Sequence, residues 1–258
     1  MKAVIFDLDG TLVQTEILKA KSYARAAASL CPGFLEEREV VEAFKEVVGL
    51  SRHEVAKALL LRFDLEEAAK GKMAEYGVST PWQAFVQVRM DIYESMISDG
   101  TTLHKYLCPH NEQLLHWARQ KGYFTGLATM SHCPQASNVL RLLDLEEQFD
   151  FVATRDDVTF GKPDPEIYTL VARELDIPAE QCLVIEDSLN GVKAALAAGM
   201  SCLAVTTDFT SAQVHAGGLL DPRWIVDEPN TLQAVVEDFI TEHDFGLKPL
   251  TSDFVPQL

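Results

Sequence analysis

The sequence predicts an α/β fold: a parallel sheet with helices on both faces, interrupted by an inserted all-helical cap domain. Three observations carry this. After Gly100, helix-periodic segments alternate with short apolar runs, the pattern of a parallel sheet covered on both sides. Between Thr15 and Ser98, Ala, Leu, Glu and Lys recur at helical spacing and no strand stands out. One strand-like run, KAVIFD at 2–7, precedes that helical block. The block is therefore an insertion after the first strand of a sheet that the rest of the chain completes.

Taken in order, residues 2–7 are too short for a helix and end in an acid, which predicts a buried strand. Helical spacing covers 15–30 and 36–48. Ser51, with Glu54 three residues on, fits a capping box. Thr80-Pro81 starts another helix with proline at its first position. Beyond Gly100 the order is helix 110–121 closed by Gly122, strand 123–129, helix 134–143 and strand 149–154. Helix 165–176, strand 182–187, helix 188–198 closed by Gly199, and strand 201–207 follow. The last segment, GLKPLTSDFVPQL, is expected to be an extended tail. The expected division is a catalytic core of 1–14 and 100–245, a helical cap of 15–99 and a C-terminal tail of 246–258.

Composition narrows the function classes. The chain has 258 residues, 47% hydrophobic and 24% charged, which excludes collagen, long coiled coil and wholesale disorder. No apolar run approaches the ~20 residues that cross a bilayer, and two aspartates in the first ten residues argue against a secretory signal. The five cysteines (Cys31, Cys108, Cys133, Cys182, Cys202) are odd in number and form no CxxC pair. They are expected as reduced thiols in a cytoplasmic protein. A net charge of −17 argues against nucleic acid as a partner. The deficit is uneven: residues 15–100 hold 11 of the 22 basic residues but only 14 of the 39 acidic ones.

In an open α/β sheet, ligands bind outside the carboxyl ends of the strands. The first strand ends in Asp7-Leu8-Asp9-Gly10, the second in Thr129-Met130-Ser131, and a later one in Glu186-Asp187-Ser188. Lys162 lies in Gly161-Lys162-Pro163, just before a helix. Singly, each is ordinary; an acid at a strand end is commonly a turn residue, and an acid pair before a helix commonly an N-cap. Together they bring four carboxylates, one lysine and a hydroxyl to one edge. Four carboxylates cannot all stay ionised without a cation, and a dense oxygen set suits Mg²⁺ with a substrate phosphate. Asp7 and Asp9, two apart, share a face of a continuing strand. Such a pair can divide into nucleophile and proton donor.

The string VIFDLDGTL (4–12) closely resembles the first motif of the haloacid dehalogenase superfamily of phosphohydrolases. GLATMS (126–131), FGKPDPEIY (160–168) and VIEDSLNGVKAALAAGM (184–200) resemble the second, third and fourth, in order. The resemblance covers 1–14 and roughly 100–228, implies a Rossmann-like core, and is greatest to the phosphoglycolate phosphatase and β-phosphoglucomutase branch, whose helical cap sits where 15–98 lies. It implies that Asp7 attacks phosphorus to give an aspartyl-phosphate and that Asp9 protonates the leaving alkoxide, then takes a proton from water. It also implies Mg²⁺ held by the Asp7 carboxylate, the Asp9 backbone carbonyl and Asp187, with Glu186 direct or through water. Thr129 and Lys162 would hold the phosphoryl group. Met130, where many members carry Asn or a small residue, would still offer its backbone amide. VVGLSRHEVAKALL (47–60) resembles the cap segment that faces the active site, which makes Arg52 a candidate contact for a substrate anion.

The expected function is Mg²⁺-dependent hydrolysis of a small phosphorylated metabolite, such as a sugar phosphate or a phosphoglycolate-like compound, by a monomer or small homo-oligomer. A β-phosphoglucomutase-like mutase is the alternative. A dehalogenase needs neither the carboxylate cluster nor the Asp9 acid, and a silent binding module would have lost one of these residues.

Overall fold

A computed structural model of the chain describes residues 1–33, 35–48, 50–98 and 100–244; the expected tail at 246–258 lies outside them. Ala3–Phe6 form β1 with every side chain buried, as befits a strand covered on both faces. The helical block follows as α1 (Thr15–Leu30), α2 (Glu37–Lys45), α3 (Arg52–Arg62), α4 (Glu66–Gly71), α5 (Met73–Tyr76), α6 (Pro81–Ile97) and α7 (Thr101–Tyr106). Alternation then sets in: α8 (Pro109–Gln120), β2 (Phe124–Ala128), α9 (Cys133–Leu142), β3 (Phe151–Ala153), α10 (Glu166–Glu174), β4 (Cys182–Glu186), α11 (Leu189–Ala197) and β5 (Ser201–Val205). Three elements follow the last strand read from the sequence: α12 (Ser211–Gly217), β6 (Ile225–Val226) and α13 (Leu232–Asp244).

The chain divides into two compact units, Met1–Gln14 with Tyr106 onward, and Thr15–Lys105. In the first, the six strands lie in the order β3-β2-β1-β4-β5-β6 and every pair is parallel. The strand order reverses between β1 and β4, which makes the crevice there the expected ligand position. Register decides what meets in it. Phe6 pairs with Leu127 on one side and Ile185 on the other, so β1, β2 and β4 end level. The residues that follow share one rim: Asp7 and Asp9, Thr129, Glu186 and Asp187. Where the chain leaves this unit and returns, Val13 bridges Leu107 in antiparallel fashion. Gln14 N donates to Tyr106 O and Cys108 N to Leu12 O, both at 2.8 Å.

The helical unit has its own core, in which the Tyr23 ring packs 5.7 Å from Phe44 and 5.5 Å from Phe85. The capping box is formed as expected: Glu54 N donates to Ser51 Oγ at 3.3 Å and Ser51 N to Glu54 Oε2 at 3.0 Å. Arg89 of α6 is buried among this apolar packing. Its guanidinium lies 4.7 Å from the Tyr93 ring centre and 5.2 Å from that of Tyr23, and its Nε has no hydrogen-bond partner. Among the described residues, no helix is long and apolar enough to cross a membrane.

Candidate active site

The site begins with a turn that only glycine tolerates. After Asp7 the chain doubles back, with Leu12 N and Val13 N both donating to Leu8 O. Gly10 has φ +93°, and a Cβ there would stand 2.2 Å from Asp187 Oδ2. The turn thus presses its backbone against the end of β4 and sets Asp7 and Asp187 side by side. Both are buried, and carboxylate oxygens of Asp7, Glu186 and Asp187 lie within 4.8 Å of one another.

Lys162 reaches this cluster from the loop before α10. Glu166 braces the loop by accepting from Thr159 N at 2.9 Å and Phe160 N at 2.7 Å. The ammonium donates to Asp7 Oδ1 and Glu186 Oε1, each at 2.6 Å, and to Ala128 O at 2.9 Å. An ammonium has three N–H donors, so all three are engaged. Burial works against its charge, but the carboxylates of Asp7 and Glu186 outweigh burial and raise its pKa.

Glu186 is held from both sides. Oε1 accepts from Lys162 and from the Tyr168 hydroxyl, the latter at 2.8 Å; Oε2 accepts from Asp187 N, Ser188 N and Ser188 Oγ, each at 3.0 Å. A Cβ on Gly191 would fall 1.8 Å from its carboxyl carbon. That glycine lets the carboxylate seat at the start of α11, where the helix dipole favours negative charge. Burial tends to raise the Glu186 pKa, but the Lys162 charge and these hydrogen bonds bring it below its ordinary value.

Asp7 is different: burial pushes its carboxyl up to about 7, with Lys162 pulling it down and Glu186 and Asp9 adding to the rise. Burial and the neighbouring carboxylates both work against a negative charge on Asp7, so the cluster favours added positive charge. Hard oxygen donors in a buried cluster, with one carboxyl lifted by like charges, fit a divalent cation such as Mg²⁺.

Asp9 sits across from this group. Its Oδ2 accepts from Ser131 Oγ at 2.6 Å and Thr129 Oγ1 at 3.3 Å. Thr129 Oγ1 in turn accepts from Ser131 N at 3.0 Å. Of the residues singled out from the sequence, the structure brings together Asp7, Asp9, Thr129, Lys162, Glu186 and Asp187. Met130 follows Thr129, but its side chain turns to the third-motif loop: a Cβ on Gly161 would lie 2.7 Å from Met130 Cε. Arg52 is the exposed first residue of α3, in the helical unit. His132, beside the rim, pairs through Nδ1 with Asp156 Oδ1 at 2.6 Å.

Sequence reasoning missed Ser131 and Tyr168. Ser131 had a signal, since it stands two residues after Thr129 on a strand exit. Tyr168 closes the quoted third motif, but a tyrosine in the first turn of an amphipathic helix looks like core.

The model of the haloacid dehalogenase-like hydrolases matches residues 1–199 of this chain. Protein CbbY of Cereibacter sphaeroides is 30% identical over 226 residues, covering 86% of this chain and 92% of its own. The phosphorylated carbohydrates phosphatase of Thermotoga maritima is 31% identical over 204 residues, covering 78% and 82%. Among solved structures, the putative β-phosphoglucomutase of Thermotoga maritima superposes with a TM-score of 0.69 at 28% identity, covering 92% of this chain and 99% of that one.

Proposed function

Because the chain belongs to the haloacid dehalogenase-like hydrolases and is a phosphoric monoester hydrolase, we propose that it hydrolyses a small phosphorylated metabolite in the cytoplasm through an aspartyl-phosphate on Asp7. A sugar phosphate is the substrate class favoured by its likeness to a phosphorylated carbohydrates phosphatase. The observation that carries the reading is Lys162, locked at 2.6 Å from Asp7 at the crevice where the strand order reverses.

Asp7 attacks phosphorus in line; the bond from phosphorus to the ester oxygen breaks, and Asp9 gives its proton to the departing alkoxide. Water then attacks the aspartyl-phosphate, Asp9 takes its proton, and the bond from phosphorus to Asp7 breaks to release inorganic phosphate. Ser131 and Thr129 hold Asp9 beside this path. The Thr129 hydroxyl can turn from Asp9 to a phosphoryl oxygen, and Lys162 offsets the negative charge beside it. Mg²⁺ would be held by the Asp7 and Asp187 carboxylates and the Asp9 main-chain carbonyl, with Glu186 through water. Bound there, it would supply charge neutralisation that favours the ionised form of Asp7. Arg52 would contact an anionic part of the substrate outside the transferred group.

The test is phosphate release from a panel of phosphorylated metabolites. Asp7→Asn should lower turnover by at least about 10³-fold with the fold intact. Chelation should silence the wild type, and Mg²⁺ should restore it. An active Asp7→Asn variant refutes the nucleophile. A mutase, favoured by the likeness to the putative β-phosphoglucomutase, would instead convert β-glucose 1-phosphate in the presence of a bisphosphate primer.

A further inference from the structure

Tyr168 takes no part in the chemistry above, yet its surroundings are those of the site. It heads the fully buried side chains by volume among the described residues. Its ring centre lies 4.9 Å from the Lys162 ammonium, and its hydroxyl donates to Glu186 Oε1 at 2.8 Å. Packing alone does not call for that hydroxyl. Phenylalanine would fill the same space, and a buried hydroxyl is costly unless it is bonded.

Its partner explains it. The Glu186 carboxylate accepts five hydrogen bonds, two on Oε1 and three on Oε2, against about four lone-pair positions on a carboxylate. Glu186 is therefore committed: one oxygen to the start of α11, the other to Lys162 and Tyr168. Lysine carries its charge on a flexible four-carbon stem, so its ammonium stays put only if its acceptors do. Ala128 O is fixed by β2, and Glu186 Oε1 is fixed by Tyr168.

We propose that Tyr168 is a positioning residue: with Glu186 it forms a buried clamp that holds the Lys162 ammonium against Asp7, so that Glu186 serves the lysine before any cation. The proposal rests on the assignment of Asp7 and Lys162 to phosphoryl transfer. The phenol moves no proton to the substrate; it keeps the lysine in register and the ring packed beneath it.

The experiment compares wild type, Tyr168→Phe, Glu186→Gln and the double variant. Tyr168→Phe should lower kcat about tenfold, the loss of one charge-assisted hydrogen bond in the transition state, with KM within about twofold. In the Glu186→Gln background, Tyr168→Phe should add nothing further, as expected of two residues acting through one contact. Mg²⁺ affinity by calorimetry, with no substrate present, should stay within about threefold of wild type in Tyr168→Phe. Acetylation of Lys162 in a short acetic anhydride pulse, read by mass spectrometry, should rise at least about threefold as the released ammonium opens to solvent more often. Unchanged kcat together with unchanged labelling overturns the clamp. So does an additive loss in the double variant, or a fall in Mg²⁺ affinity that matches the fall in kcat. Should Tyr168→Phe lose the fold, Lys162 labelling in Glu186→Gln decides, and protection equal to wild type overturns the clamp. Were wild type to release no phosphate, the Asp7 assignment would fail, while the labelling arms would still judge Tyr168.

Discussion

The Lys162 side chain in the α/β unit is buried, as is Arg89 in the helical unit, but their surroundings differ in kind. Lys162 has an oxygen acceptor for each of its three N–H groups, two of them carboxylates. Arg89 has the faces of Tyr23 and Tyr93, a contact to the Met90 sulfur, and an Nε left without a partner. Burial is what chiefly lowers the Arg89 pKa, whereas at Lys162 the carboxylates overturn burial and raise it. The same cost of desolvation is met by fixed negative charge in one unit and by soft π-density in the other. Fixed charge holds the ammonium to set acceptors; π-density leaves a guanidinium with spare donor capacity.

Removing each cation tests that contrast. Lys162→Met strands the Asp7 and Glu186 carboxylates in the interior and should cost about 3–5 kcal/mol of stability, as broken buried ion pairs do. Arg89→Met leaves no orphaned charge and should stay within about 1 kcal/mol of wild type, since cation–π contacts contribute at that scale. Denaturant unfolding, with hydrogen exchange to show which unit opens first, measures both. Comparable losses from the two variants would erase the distinction.

A smaller effect follows from Asp7. Its pKa is raised in the folded state to about 7 from an ordinary 3.8, so between those values the folded protein holds a proton that the unfolded chain has released. Its contribution to stability is then fully present below pH 4 and is lost as pH rises through 7. Metal-stripped protein should lose stability over that window, and Asp7→Asn should flatten the slope. Mg²⁺ should raise the thermal midpoint more at pH 8 than at pH 5. An equal gain at the two pH values would show that the carboxyl is already ionised before the cation arrives. Glu186, with its lowered pKa, runs the other way and loses its contribution only in acid.

Smallest of all is the start of α3. Ser51→Ala removes one side of a capping box and should cost about 1 kcal/mol. Exchange should quicken in the first turn of α3 and leave β1 and β4 protected, because the two units keep separate cores.

The strand exits were readable because a parallel sheet places its chemistry by rule. Asp7, Thr129 and Glu186 each follow a short apolar run, and level register does the rest. Ser51 and Glu54 were equally plain, since a capping box is local. What escaped depends on contacts across the fold. β6 is two residues, Ile225–Val226, too short for any period to show. Tyr168 and Arg89 sit at positions of amphipathic helices where bulk alone would serve; only the neighbours they meet distinguish them. The helical unit runs to Lys105, beyond the boundary at 99 expected from composition, because α7 is too short for its helical spacing to show. Met130 illustrates the limit from the other side. Its backbone amide is what the resemblance points to, but the structure also sets its thioether methyl close against Gly161 of the third-motif loop.

The two crossings between units are clasped before they part: Val13 pairs with Leu107, and Gln14 with Tyr106. Both ends of the inserted stretch therefore emerge together from a short ladder that belongs wholly to the sheet-bearing half. Any module whose termini lie close could be grafted onto that stem, or a tight turn could close it, without breaking a ladder bond. Such a stem would let the insert be exchanged wholesale while the sheet strands that lead to Asp7 and Glu186 are left undisturbed.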